Sequence, residues 1–284
     1  MELTALQQRL KEIEAIADEH WMAGLTERKK KELEFHDADR DTSKIESLDK
    51  KTHEKIYGNR KYYDATGLSK DYVDAWIQEH AKGKVFLDYA CGNGRNAIKA
   101  AKWGAALAIG IDISRVSVEN AKRAAAAQGL QDTTWFVQAD AENTLLPAES
   151  VDTIVCSGML HHLDLSYAFP ELRRIMKPGA RILAMEALNY NPAIKLYRHL
   201  TPEMRTDWEK AHILSLDDIH FARRFFAVEN IKYWHVASVI APYARMMGAL
   251  PALNWIDKYL TRIPLVRLMA WIFTFELIKR NDAG

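Results

Sequence analysis

This chain of 284 residues is poor in the features of secreted, membrane-spanning or nucleic-acid-binding proteins. It has two cysteines, Cys91 and Cys156, far apart and set in glycine-turn and apolar surroundings. That excludes a disulfide framework, points to a reducing compartment and offers no thiol metal site. No uncharged run reaches the roughly 18 residues of a membrane span, and no basic, apolar and small-residue leader opens the chain. The formal net charge of +1 supplies no long-range field, and there is no basic stripe, so nucleic acid is not an expected partner. The expected location is the cytoplasm. What is left is a chain with 48% hydrophobic and 27% charged residues, long enough for one large domain or one and a half.

The most informative stretch is Val85–Asn96, VFLDYACGNGRN. An apolar run ends in an acid, Asp88, followed by the turn Cys91-Gly92-Asn93-Gly94 and then a helical pattern. Strand, glycine turn and helix in that order open a nucleotide-binding α/β domain. Glycines let backbone approach a ligand, and the helix start behind them offers unpaired N–H groups. The third glycine of a dinucleotide fingerprint is replaced by Ala97. A carboxylate beside the turn repels a pyrophosphate and attracts an ammonium group. That favours a cofactor with an amino-acid end.

Asp88, Gly92 and Gly94 resemble the first motif of the class I S-adenosylmethionine (SAM)-dependent methyltransferases, roughly D-x-G-x-G-x-G. Ala90 stands where the first glycine usually is, and fits if its φ is negative. Asp112 closes a second apolar run about 20 residues past the turn, where a strand-tip carboxylate accepts ribose hydroxyls. Further family motifs follow in order. Asp140-Ala141 after the third strand resembles the pair that meets adenine. Ser157-Gly158-Met159-Leu160-His161-His162-Leu163 follows the fourth strand, and Met176-Lys177-Pro178-Gly179 forms a turn before the fifth. The resemblance covers Lys84–Glu186. It implies a Rossmann-like, seven-stranded, mostly parallel α/β sheet with helices on both faces and a last strand inserted antiparallel beside the sixth.

The same resemblance implies SAM as cofactor, S-adenosyl-L-homocysteine as product and no metal. Asp88 and Gly92 are expected to hold its amino-acid end, Asp112 its ribose, and Asp140 with Ala141 its adenine, with Ala90, Gly94, Ile113 and Ser157 as further cofactor-binding residues. His161 or His162 is the candidate catalytic or acceptor-orienting group. The expected reaction is methyl transfer to an O, N or C nucleophile of a small molecule. A nicotinamide-dependent oxidoreductase and a non-catalytic protein of the same fold are the alternatives.

Outside that core, residues 1–80 are expected to form a helical lid on a domain spanning 81–284. Leu3, Leu6, Leu10 and Ile13 recur at helical spacing. Glu27–Asp49 is so charged that it reads as a linker or a mobile helix. The run Asn59–Asp64 brings Lys61, Tyr62 and Tyr63 as candidate pocket residues. After the fifth strand, an insertion over 187–224 places Tyr190, Arg198 and Arg205 over the acceptor, where arginines grip a carboxylate or phosphate. The apolar stretch 241–267, which includes Met246, suits core packing, a membrane or lipid-like contact, or a homodimer. Ala270–Lys279 reads as the last strand.

Overall fold

The structure is a computed structural model describing residues 2–16, 18–41, 45–47, 49–57, 60–242 and 247–280. Asn59, Met246 and the side chain of Lys61 lie outside what it describes. The chain begins with α1 (Leu3–Glu14), α2 (Asp18–Ala23), α3 (Glu27–Arg40), α4 (Lys50–Tyr57) and α5 (Gly67–His80). The αβ core follows: β1 (Val85–Tyr89), α6 (Arg95–Lys102), β2 (Leu107–Asp112), α7 (Arg115–Ala126), β3 (Thr134–Gln138), β4 (Val151–Ser157), α8 (Leu165–Ile175) and β5 (Met176–Ala187). Next come α9 (Pro192–Leu200), α10 (Asp207–Ala211), α11 (Leu216–Ala222), β6 (Ala227–Trp234), α12 (Leu250–Leu260) and β7 (Ile272–Ile278).

The sheet order is β3-β2-β1-β4-β5-β7-β6. The first five strands are parallel, and β7 runs antiparallel between β5 and β6. Fully buried runs such as VFLDY and LAIGID suit central parallel strands, which are covered on both faces. The strand period of two sends alternate residues to opposite cores. Leu87, Ile109, Ile154 and Ile182 join α1 and α8 on one face, through Leu6, Leu10, Phe169 and Leu172. Phe86, Ala108, Val155 and Leu183 join α5, α6 and α7 on the other, through Val73, Trp76, Ala97 and Ala121. Thus α1 packs as part of the domain, its Leu6, Leu10 and Ile13 buried.

Two local expectations change, and one open alternative is decided. Ala90 has φ +54°, not a negative value, because the chain must turn sharply between β1 and the glycine loop. The Lys177-Pro178-Gly179 turn lies inside β5: Val151 pairs with Met176 and Thr153 with Arg181, so the extra residues bulge out of register, with Gly179 at φ +75°. The charged stretch from Glu27 forms a helix, started by Thr26 accepting from Lys29 N, with Glu32 and Leu33 buried. Ion pairs and hydrogen bonds to distant loops take the place of an apolar face. Among the described residues, no helix is long and apolar enough to cross a membrane. The segment around α12 leaves Trp255, Tyr259 and Leu265 exposed.

Two substitutions test this framework. A Cβ on Gly110 would lie 2.5 Å from Phe136 Cδ1 and 2.9 Å from Cys91 Sγ. Gly110→Ala is expected to lower stability by about 1–3 kcal/mol through overpacking. Ala90→Gly relieves a left-handed alanine and is expected to raise stability by about 0.5–1 kcal/mol. Urea unfolding of both variants measures the two opposite shifts.

Candidate active site

The site lies beyond the C-terminal ends of the parallel strands, and two buried carboxylates shape its floor. Asp88, at the end of β1, accepts from Asn96 N and Ala97 N, each at 3.1 Å, and from Asn96 Nδ2 at 3.2 Å. It caps α6 from beneath and lines neither the cleft nor the chamber described below. Burial raises its carboxyl to about 7, against the opposing pull of those donors. Gly94 likewise serves packing: a Cβ there would meet Phe136 at 2.6 Å and Ala121 at 2.7 Å. Asp88 and Gly94 therefore act on the loop from behind, which corrects their expected place at the cofactor. Asp112, at the tip of β2, accepts from Gly92 N at 2.8 Å and Ser114 N at 2.9 Å, fixing the loop above the strand.

A cleft of about 110 Å³ is lined by Ala90, Gly92, Asp112, Ile113, Asp140, Ala141 and Ser157, together with His162. Its roof is α3. Lys29 Nζ lies 2.5 Å from Asp140 Oδ2 and 2.9 Å from Glu142 Oε2, and Arg28 Nη2 lies 2.5 Å from Glu142 Oε1. Burial disfavours the Lys29 charge, but the two carboxylates outweigh it and raise its pKa. Asp37 accepts from Ser114 Oγ at 2.5 Å, and the Arg40 carbonyl accepts from Asn120 Nδ2 at 3.2 Å. The Arg40 guanidinium stands 3.6 Å from a Cβ position on Gly92, and its Nε is buried without a hydrogen-bond partner. Arg28, Lys29, Glu32, His36 and Arg40 are site residues that the sequence reading missed. Their only signal was a charged run, and the partners of Arg28, Lys29 and Glu32 lie more than a hundred residues away.

A second, larger chamber of about 1010 Å³ adjoins the cleft. His36, Arg40, Ser157, Gly158 and His162 border both spaces. The chamber wall mixes Phe35, Ile56, Tyr63, Met185 and Trp271 with His161, Glu186 and Glu209. At its floor Glu186, at the end of β5, is buried. Its Oε1 accepts from Met159 N and Leu160 N at 2.8 Å each, while Oε2 is 2.6 Å from His161 Nδ1. Burial opposes charge on His161, yet the Glu186 carboxylate outweighs it and lifts the imidazole above its ordinary pKa. The Nε2 atom is 4.0 Å from Glu209 Oε1.

His162 faces the roof instead of packing under its loop. Its Nδ1 is 3.0 Å from Glu32 Oε2, and its ring meets His36 edge-on, with centroids 4.9 Å apart. Burial and the neighbouring His161 lower the pKa of His162, and burial with His162 lowers His36 to about 4.

The expected acceptor residues divide. Tyr63 lines the chamber and tilts against Trp271, with ring centroids 5.2 Å apart. Tyr62 lines neither space and meets Tyr197 edge-on. Tyr190 turns away, its hydroxyl accepting from Leu216 N at 3.0 Å at the start of α11. Arg205 is taken up internally, donating to Thr201 O at 3.0 Å and lying 3.4 Å from Glu209. Arg198 is buried deeply enough to bring its pKa down to about 10, and its Nη1 has no partner.

Residues 86–179 match a family described as a methyltransferase domain. The chain is 29% identical over 161 residues to the ubiquinone biosynthesis O-methyltransferase of Neisseria meningitidis, covering 52% of this chain and 65% of that enzyme. It is 34% identical over 101 residues to the 27-O-demethylrifamycin SV methyltransferase of Amycolatopsis mediterranei, covering 35% of this chain and 37% of that one. The chain thus spans less than two thirds of either relative's length. Among solved structures, a geranyl diphosphate C-methyltransferase from Streptomyces coelicolor, in complex with Mg2+, geranyl diphosphate and S-adenosyl-L-homocysteine, shares the fold. Its TM-score is 0.61, with 14% identity over 90% of this chain and 99% of that one. Residues 86–179 thus match a methyltransferase domain, and the sheet order around them is the fold shared with SAM-dependent methyltransferases of known structure.

Proposed function

We propose that this protein transfers the methyl group of SAM to a nucleophile of a small molecule held in the chamber, and that the nucleophile is a hydroxyl. The carrying observation is the His161–Glu186 pair on the chamber wall, next to the loop residues Ser157 and Gly158 that border both spaces. Names of relatives support the class, since an O-methyltransferase of quinone synthesis and a rifamycin-type methyltransferase are among them.

The cleft residues fit the cofactor. Asp112 suits the ribose hydroxyls, Asp140 with Ala141 and Ile113 the adenine, and the loop at Ala90, Gly92 and Ser157 the amino-acid end. The unpartnered Arg40 Nε above Gly92 complements a carboxylate there. At about 110 Å³ the cleft is far below the roughly 300 Å³ of a small ligand pocket. Cofactor binding in this reading requires α3 to rise and Lys29 to leave Asp140, so within residues 1–80 it is α3 that works as the lid, while α1 and α5 stay packed on the domain. The insertion over 187–224 walls the acceptor side through Glu203, Met204 and Glu209.

When bound, SAM supplies a methyl group on a sulfonium and leaves as S-adenosyl-L-homocysteine. The chain's own work is placement and proton transfer. Glu186 accepts a hydrogen bond from Nδ1–H and fixes the tautomer, leaving Nε2 of His161 to take the acceptor hydroxyl's proton. Ser157 and Gly158, shared by both spaces, mark the passage through which the methyl crosses.

Calorimetry with SAM tests the cleft. Asp112→Asn keeps the shape but removes the charge, and is expected to weaken binding by about 10–100-fold. Unchanged affinity overturns the ribose assignment. The dyad is tested by pH profile once a hydroxyl acceptor is in hand. Methyl transfer should rise with pH as His161 loses its proton, with a midpoint above the ordinary 6.5 of histidine. Glu186→Gln removes the charge that lifts the imidazole. It should move the midpoint down and cut kcat about a hundredfold. A profile that does not shift rejects His161 as the base.

A further inference from the structure

Where α3 meets the loop after β4, three donor groups converge that methyl transfer does not use. Glu32 and His36 sit one helical turn apart on α3, and His162 comes from the loop. Glu32 Oε2 is 3.0 Å from His162 Nδ1 and 3.7 Å from His36 Nε2, and one ligand atom from each of the three lies within 4.8 Å of the others. A tetrahedral ion with ligand bonds of about 2.0–2.1 Å needs donor atoms about 3.3 Å apart. Closing the set takes shifts of an ångström or so. The basic neighbours Arg28 and Lys29 are already paired with Glu142 and Asp140, so they oppose a cation little. His36 and His162 border both cleft and chamber, which gives an ion a route in.

We propose that Glu32, His36 and His162 form a Zn2+ site that staples α3 onto the loop after β4 and holds the cofactor cleft shut. Two imidazoles and a carboxylate, with a fourth position for water, are a donor set suited to zinc. The ion is an inhibitory ligand of the closed form. Methyl transfer draws nothing from it, because a sulfonium is already a strong methyl donor. Since Glu32 and His36 belong to the roof and His162 to the floor, binding all three costs the ion its ligands whenever α3 lifts. The ion and an open cleft therefore exclude each other. The ion site stands independently of the cofactor reading; its effect on cofactor binding rests on that reading. His161 and Glu209 are a rival pair for His162. Glu209 is held by Arg205, however, and its nearest approach to His161 is 4.0 Å.

Co2+, as a visible stand-in for Zn2+, is titrated into the full chain. The expected result is the intense d–d absorption of tetrahedral Co2+, saturating at one ion per chain and displaced by Zn2+. His36→Ala and Glu32→Gln should each weaken Co2+ by more than about tenfold, with thermal melts showing that both variants fold. A weak octahedral spectrum, or His36→Ala binding Co2+ as well as the native chain, overturns the site. The staple is read by hydrogen exchange: Zn2+ should slow exchange across residues 27–40 in the native chain and leave His36→Ala unchanged. Exchange that Zn2+ does not slow overturns the staple. Saturating Zn2+ should also weaken S-adenosyl-L-homocysteine binding by about fivefold or more. A chain that binds Co2+ as described but never binds S-adenosyl-L-homocysteine, with or without metal, refutes the cofactor reading and leaves the ion site standing.

Discussion

The site depends on where one buried carboxylate puts its two oxygens. Glu186 ends β5 next to the tip of β4, and one oxygen takes both N–H groups that open the following loop. The other takes His161. Buried charge in this position is tolerable only because every lone-pair direction that matters has a donor. That arrangement draws the loop at 158–162 inward, makes it the partition between cleft and chamber, and orients His161 into the chamber. Ser157, Gly158 and His162 take their places as a consequence.

The floor of the cleft follows the same logic. Asp88 and Asp112 hold the glycine loop from below through backbone donors, so the loop's shape is set by the protein before any ligand arrives. The roof differs in kind. Helix α3 is held by ion pairs and hydrogen bonds: Lys29 to Asp140, Arg28 to Glu142, Glu32 to His162, and Asp37 to Ser114. Polar contacts of this sort exchange readily for water or for a ligand's own charges, whereas the apolar cores beneath do not. Rigid floor and exchangeable roof suit a site that must admit a large cofactor.

How much of this could be read in the sequence depended on the range of the interactions. Strand runs, the glycine turn and the strand-tip acids are local patterns, so the strands of the sheet were legible; the antiparallel last strand came from the family resemblance, and the role of Asp88 beneath α6 was missed. The sign of φ at Ala90 was not legible, because the surrounding loop decides it. Nor was the role of α3: Lys29 and Asp140 are 111 residues apart, and a run such as ERKKKELEFHDADR looks solvated when its partners are out of view. Tyr190 and Arg205 were placed at the acceptor because polar groups near a strand end commonly face ligand. Here each instead satisfies backbone or side-chain groups of its own segment, Tyr190 at Leu216 and Arg205 at Thr201 and Glu209. Glu186 was visible as a strand end, but nothing local marked it as the partner of His161.

His36 and Arg40 belong to the walls of both spaces, and both ride on the same helix. A single rigid displacement of that helix unseals donor and acceptor compartments in one movement. Under the proposed function, the route for the cofactor and the route for the acceptor would then run past one and the same wall segment instead of two separate ones.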